Sequence, residues 1–185
     1  MWSAILADRA DRAFVDGACD DSAVARAAAI AAKDRGNARQ AIDLLGVGGE
    51  VAKKRGDDRA DDSHIVEAQE LVQRGRLRNR IRDQTQHAQL LLETLAYLEE
   101  REQTPARSKT IKTRYETVAD SHAVDPLTTL KSIQNHLSDL HMLGFLRRAD
   151  RNRGESGGRY YEYSLDLDPE IVLDISGEIE AERDP

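Results

Sequence analysis

The chain has 185 residues and a mass of 20.6 kDa, which allows one domain or two small ones and excludes a large catalytic barrel. Hydrophobic residues make up 39%, charged residues 33% and aromatic residues 4%, and this balance predicts a mainly α-helical protein. Cys19 is the only cysteine, so an intrachain disulfide is excluded, and no cysteine and histidine cluster has zinc-site spacing. We therefore expect no metal site.

The net charge of −7 is unevenly composed and unevenly distributed. Asp (20) exceeds Glu (14) and Arg (21) exceeds Lys (6), which is typical of a protein from a salt-rich cytoplasm. Residues 76–165 carry 15 basic and 12 acidic groups, whereas residues 166–185 carry 1 and 8. A polyanionic partner should therefore meet the middle of the chain. Without an apolar run of about 20 residues, the sequence predicts a cytoplasmic protein with no membrane partner.

Hydrophobic spacing in residues 1–75 predicts a helical bundle. Asn37 with Gln40 three residues later has the pattern of a capping box that opens a helix, and Gly36 just before it is typical of a helix end. The glycines at 46, 48 and 49 weaken the helix that follows. The predicted helices cover residues 5–14, 22–35, about 38–54, and about 62 toward a charged connector at 76–84.

Residues 85–185 show a different order of elements. Leucines predict an amphipathic helix from Thr85, and a second helix follows over residues 108–123. Asp125 and Pro126 are typical of a cap and a first-turn proline, so a third helix is expected to start there, with inward residues Leu127, Leu130, Ile133, Leu137, Leu140 and Leu143. Residues 145–148 and 160–165 are typical of two strands around a glycine-rich tip. Three helices and a two-stranded ribbon predict a winged helix, closed by an amphipathic helix that carries Ile171, Val172, Ile175 and Ile179.

The outer face of the third helix has the side chains that pair with base edges or phosphates. These are Thr128, Thr129, Lys131, Ser132, Gln134 and Asn135. A polar face of this kind also occurs when a helix is simply solvated, but the predicted wing favours nucleic-acid binding, because arginines crowd it against only Asp150 and Glu155. The arginines are Arg147, Arg148, Arg151, Arg153 and Arg159.

Three further features have ordinary structural interpretations. At least one of Tyr160, Tyr161 and Tyr163 is expected in the core, because alternate strand residues point inward. His136 and His141 are five residues apart, so they do not share a helix face as ligands. Arg39 could meet an anion or pair with Asp43 one turn later, and spacing favours the pair.

Several segments resemble a known family. Residues 5–10, 36–45 (Gly-Asn-Ala-Arg-Gln-Ala-Ile-Asp-Leu-Leu) and 49–52 resemble the helical lid of the archaeal origin-recognition and cell-division-control type replication initiators, which are AAA+ ATPases. Residues 126–129, 140–144 and 157–160 resemble their C-terminal winged helix. The resemblance covers nearly the whole chain, and the composition points to a haloarchaeal member.

The resemblance implies specific roles. Arg39 matches the second-sensor arginine, which in the family reaches the γ-phosphate of ATP, and ATP with magnesium is the family's cofactor. No Gly-x-x-x-x-Gly-Lys-Ser/Thr motif occurs in the 185 residues, so this chain alone is expected to need no cofactor and to perform no catalysis. Where the family usually has two basic residues in the recognition helix, this chain has Lys131 and Ser132.

The resulting hypothesis is a truncated or split initiator with a lid at 1–75 and a winged helix at 85–185, which binds duplex DNA at origin repeats. Initiator paralogues or the replicative helicase are the protein partners that the resemblance implies. An alternative is a winged-helix transcription regulator whose N-terminal helices dimerise. A third hypothesis is a lid that completes an ATPase site with a separate nucleotide-binding protein.

Overall fold

A computed structural model describes residues 19–33, 38–152 and 159–183. The predicted helix at 5–14 and the Gly36 and Asn37 pattern lie outside these residues. The helices are α1 (Asp21–Lys33), α2 (Ala38–Arg55), α3 (Asp62–Arg82), α4 (Gln86–Glu100), α5 (Ser108–Ser121), α6 (Leu130–Met142) and α7 (Pro169–Ala181). The strands are β1 (Ala106–Arg107), β2 (Leu146–Asn152) and β3 (Arg159–Leu165). No helix among the described residues is long and apolar enough to cross a bilayer.

The chain divides into two compact units between Leu77 and Arg78, within α3. The core of the first unit is rich in alanine, because α1 contributes Ala23, Ala27 and Ala31 and these small side chains allow helices to approach closely. Gly48 on α2 has the same effect, since a Cβ there would lie 2.5 Å from Cδ1 of Ile65. The glycines that weaken α2 in isolation therefore do not interrupt it, because packing outweighs helix propensity.

The second unit has a leucine-rich core. Helix α4 is almost wholly buried, and Leu91, Leu92 and Leu95 are its fully enclosed side chains. Helices α5, α6 and α7 each pack against α4. As predicted, Thr85 begins α4, and its hydroxyl accepts a hydrogen bond from the Ala88 N–H at 3.3 Å.

Three strands form an antiparallel sheet in the order β1-β3-β2. Leu146 pairs with Leu165 at one end of the β2–β3 hairpin and Asn152 with Arg159 at the other. This hairpin, residues 146–165, is the predicted wing, and the winged-helix fold is confirmed. Strand β1 was not predicted, because two residues are too short to show an alternating pattern.

The start of α6 differs from the prediction. The helix begins at Leu130 rather than after Pro126, and its N-cap is Thr129. The Thr129 hydroxyl accepts a hydrogen bond from the Ser132 N–H at 3.1 Å, which satisfies one first-turn donor. Proline fits the first turn of a helix but does not require one, and here the hydroxyl cap decides the boundary.

The apolar face of α6 is also shorter than predicted. Ile133, Leu137 and Leu140 are buried, but Leu130 is 39% exposed and Leu143 is 50% exposed. These two residues lie at the two ends of the helix, and the core covers only its middle turns. On α7 the prediction fails similarly for Ile171, which is 37% exposed, whereas Val172, Ile175 and Ile179 are buried.

Candidate nucleic-acid interface

Helix α6 is held by one face and presents the other to solvent. Buried Ile133 and Leu137 fix its rotation about the helix axis, because both side chains are fully enclosed. Lys131, Gln134 and Asn135 then lie exposed on the outer face, as helical periodicity requires.

The loop that enters α6 is fixed by a buried hydroxyl. The Tyr115 hydroxyl on α5 accepts a hydrogen bond from the Leu127 N–H at 3.2 Å and lies 2.8 Å from Nδ1 of His87 on α4. Burial raises the pKa of Tyr115, while the Leu127 hydrogen bond opposes that rise. The phenol therefore stays protonated at neutral pH and links α4 and α5 to the start of α6.

The threonines and serine predicted as DNA contacts lie at this start. Thr128 is exposed and precedes the helix. The hydroxyls of Thr129 and Ser132 are 2.8 Å apart, and both residues take part in the cap. They hold the helix end, whereas Lys131 and Asn135 face a groove.

We call this groove the basic groove: a concavity of about 480 Å³ between the start of α5, the outer face of α6 and the wing. Helix α6 contributes Leu130, Lys131, Gln134, Asn135 and Ser138 to it. Its five basic lining residues are Arg107, Lys109, Lys131, Arg148 and Arg159, and none of its lining residues is acidic. A positively charged concavity with amide and hydroxyl groups on one wall suits a nucleic-acid backbone.

Two tyrosines of β3 form the floor of the groove together with arginines. The guanidinium of Arg107 lies 3.9 Å from the centre of the Tyr160 ring and donates a hydrogen bond to its hydroxyl at 2.7 Å. The guanidinium of Arg148 lies 4.5 Å from the centre of the Tyr161 ring. These contacts hold both cations against the sheet.

Tyr163 is 3% exposed, which confirms that at least one of the three tyrosines is in the core. Burial raises its pKa, and the charge and hydrogen bond of Arg148 partly offset that rise. The neutral phenol therefore supports Arg148 from beneath.

The wing arginines are paired within the protein. Arg147 Nε lies 2.8 Å from Oδ1 of Asp166, and Arg151 Nε lies 3.0 Å from Oε2 of Glu162. Arg159 binds both carboxylate oxygens of Asp150. This hydrogen-bonded contact lowers the pKa of Asp150 and raises that of Arg159. The prediction weighed only Asp150 and Glu155 against the arginines, so it missed Glu162 and Asp166, which follow the tip.

Arg153 lies outside the described residues, so the structure does not place it. Arg147 and Arg151 do not line the basic groove, whereas Arg148 and Arg159 do. Within the described part of the chain, Lys109 and Lys131 have no carboxylate partner. Sequence reasoning missed Lys109 and Arg107. The predicted helix start at Ser108 was the available signal, because it marks the end of a helix that faces α6 in a winged helix.

In the first unit, Arg39 is the second residue of α2 and is exposed, and Asp43 one turn later is exposed too. A nucleotide-binding loop is not among the residues of this chain. The residues present therefore do not form an ATP site by themselves, and Arg39 is the one group that a separate nucleotide-binding domain could use.

Three packed helices, a β-hairpin wing and a basic groove along the second and third helices define the second unit as a winged-helix domain of the nucleic-acid-binding type. The family model described as "CDC6, C terminal winged helix domain" matches residues 79–175, and the one described as "Cdc6 AAA+ ATPase-type lid domain" matches residues 3–70. The chain therefore belongs to the Cdc6 family of replication proteins, of which it has the lid and the winged helix.

The relatives agree with the composition. The chain is 40% identical over 169 residues to ORC1-type DNA replication protein 11 of Haloarcula marismortui, covering 91% of this chain and 41% of the relative. It is 41% identical to ORC1-type DNA replication protein 8 of Halobacterium salinarum, covering 91% and 42%. The chain thus spans about two-fifths of the length of the curated relatives it matches, and these relatives come from halophiles, as the Asp-rich surface predicted.

A solved structure shows the same architecture. The Aeropyrum pernix ORC1 protein in complex with DNA superposes with a TM-score of 0.74 at 34% sequence identity. The match covers 95% of this chain and 45% of the other.

Proposed function

We propose that this chain binds duplex DNA, with α6 in the major groove and the basic groove and wing against the sugar-phosphate backbone. The observation that carries the proposal is the basic groove, because it places unpaired Lys109 and Lys131 beside the exposed amides of Gln134 and Asn135. Lysine ammonium groups bind phosphates without regard to sequence, while amides can pair with adenine edges. One wall of the groove therefore supplies affinity and the other supplies selectivity.

The DNA that we propose is an origin of replication. The relatives at 40% and 41% identity are named as DNA replication proteins, and the solved relative was captured with DNA. We further propose that the chain acts there as the DNA-binding arm of an initiator, with paralogous initiators or the replicative helicase as protein partners.

We also propose that the chain alone neither binds ATP tightly nor hydrolyses it. Arg39 is placed in an exposed first turn, where it could reach a nucleotide held by another domain, but the chain has no phosphate loop of its own to hold one. Fluorescent-nucleotide titration and phosphate release test this point. Micromolar affinity for ATP in the absence of any partner would contradict it.

Footprinting of an origin region across a potassium chloride series tests the DNA proposal. Protection of defined sites should survive molar salt while background binding disappears, because salt removes the counterion-release contribution but not base contacts. Lys131→Ala should weaken the footprint, and Lys112→Ala should not. Lys112 is the matched control, since it is a lysine of the same unit that pairs with Glu116 away from the groove. Protection that fades equally at all sequences would contradict site recognition.

A further inference from the structure

The first turn of α5 opens into the basic groove. Arg107, Ser108 and Lys109 all line the groove, and Arg107 is the N-cap of the helix. The first N–H groups of an α-helix have no partner within the helix and carry partial positive charge. The Arg107 side chain extends to Tyr160 instead of capping these N–H groups.

Ser108 is a buried polar residue at the same place. It is only 8% exposed, and it lines the groove. Among the described residues its hydroxyl has no hydrogen-bond partner. A buried hydroxyl without a partner is costly, so its position beside free N–H groups points to a ligand that accepts hydrogen bonds.

We propose that the first turn of α5 is a phosphate-binding site, in which the Ser108 hydroxyl and the N–H groups of Lys109 and Thr110 donate hydrogen bonds to one phosphate. The Lys109 ammonium adds a positive charge at the same helix end. Hydrogen bonds from a helix N-terminus and a hydroxyl are a well-suited cradle for a phosphate oxygen.

The phosphate belongs to the DNA backbone. This assignment rests on the proposed function, because the groove continues from Ser108 and Lys109 to Lys131 and Asn135 of the recognition helix. A single phosphate fixed at the start of α5 would set the depth and register at which α6 enters the major groove. The site would therefore position the base contacts as well as add affinity.

Ser108→Asp separates this site from a purely structural role. A carboxylate in the first turn interacts favourably with the helix dipole, so the melting temperature should stay the same or rise. The same carboxylate repels a phosphate, and we expect duplex affinity to fall by at least roughly tenfold. Thr113→Asp is the matched control, because it adds the same charge at an exposed position of α5 that does not line the groove. It should cost less than about threefold.

Ser108→Ala keeps the proposal testable if the aspartate variant does not fold. It removes one hydrogen bond without a change of charge, so affinity should fall by roughly fivefold while the salt slope stays unchanged. Equal affinities of Ser108→Asp and Thr113→Asp, or an unchanged affinity of Ser108→Ala, would overturn the site.

Amide NMR of the full chain separates the site from the proposed function. The N–H signals of Lys109 and Thr110 should move when either a short duplex or inorganic phosphate is added at constant ionic strength, and Ser108→Asp should abolish both responses. A duplex that binds without moving these signals would overturn the phosphate site and leave the DNA proposal intact. Movement with phosphate but no binding of duplex would refute the DNA proposal alone, and no response to either would refute both.

Discussion

The basic groove and the wing contain similar numbers of cations but make them available very differently. In the wing, Arg147, Arg151 and Arg159 each have a carboxylate within hydrogen-bonding distance. In the groove, Lys109 and Lys131 have none among the described residues. The number of charges on a surface therefore does not tell how many of them a polyanion can use.

The difference has an energetic consequence. An exposed ion pair contributes only about 0–1 kcal/mol, so a phosphate can replace the carboxylate, but the gain is the difference between two similar contacts. A phosphate that meets an unpaired lysine replaces only water and small ions. We therefore expect the groove to dominate affinity, and the wing to contribute in proportion to how weakly its pairs are held.

The largest expected effect tests whether the groove depends on the buried face of α6. Leu137→Ala should lower the free energy of unfolding by about 2–5 kcal/mol, because it leaves a cavity at a fully buried position. Leu143→Ala is the control at a half-exposed position and should cost little. Chemical denaturation in concentrated potassium chloride measures both. Equal losses would mean that the position of α6 is not set by its middle turns.

Base selectivity comes next. Asn135→Ala should cost about 1–3 kcal/mol of binding free energy at some base pairs and little at others. Arg151→Ala, in the wing, should weaken all sequences alike and by less, because Arg151 is already paired with Glu162. Competition titrations with a set of point-mutated duplexes compare the two. A uniform loss for Asn135→Ala would assign that residue to the backbone.

A gain of binding would sharpen the comparison further. Asp150→Asn frees Arg159, so duplex affinity should rise by up to about 1 kcal/mol and the salt slope should steepen. Asp139→Asn removes the same charge from an exposed position of α6 outside the groove, so it reports the general effect of a less acidic protein. Equal gains for the two variants would show that pairing does not mask Arg159.

The smallest expected effect concerns the scaffold that carries both regions. Burial by itself lowers the pKa of His122, but its hydrogen bond to and the charge of Glu93, together with Glu180, outweigh burial and raise it. His122 Nε2 lies 3.0 Å from Glu93 Oε2, and Nδ1 lies 2.8 Å from Glu180 Oε1. The protonated histidine thus links α7 to α4.

A histidine with a raised pKa in the folded state stabilises the fold fully below its unfolded pKa of about 6.5, and this contribution is lost as pH rises through the folded pKa. The melting temperature should therefore decline slightly as pH rises from about 6.5, and His122→Gln or Glu180→Gln should reduce this slope. Thermal melts over a pH series at constant salt measure it. An unchanged slope in both variants would show that other groups cause the decline.

Much of the fold could be predicted from sequence because it depends on local periodicity. The leucine spacing of α4 and α6, the Thr85 cap and the alternation in β3 each report which face is buried. Where two local signals competed, sequence alone chose wrongly: Asp125 with Pro126 and Thr129 with Ser132 both resemble a helix start. The hydrogen bond between Tyr115 and Leu127 holds the loop, and helix α6 begins only at the threonine cap.

The candidate site divides in the same way. The sequence by itself determined that a recognition helix with Lys131 and Asn135 and an arginine-rich wing should be present, because both depend on residues that are neighbours along the chain or on one helix face. Only the tertiary structure decided which cations are available. Glu162 and Asp166 reach the wing arginines, and Ser108 and Lys109 reach the groove, through strand pairing and helix packing that bring together residues distant in sequence.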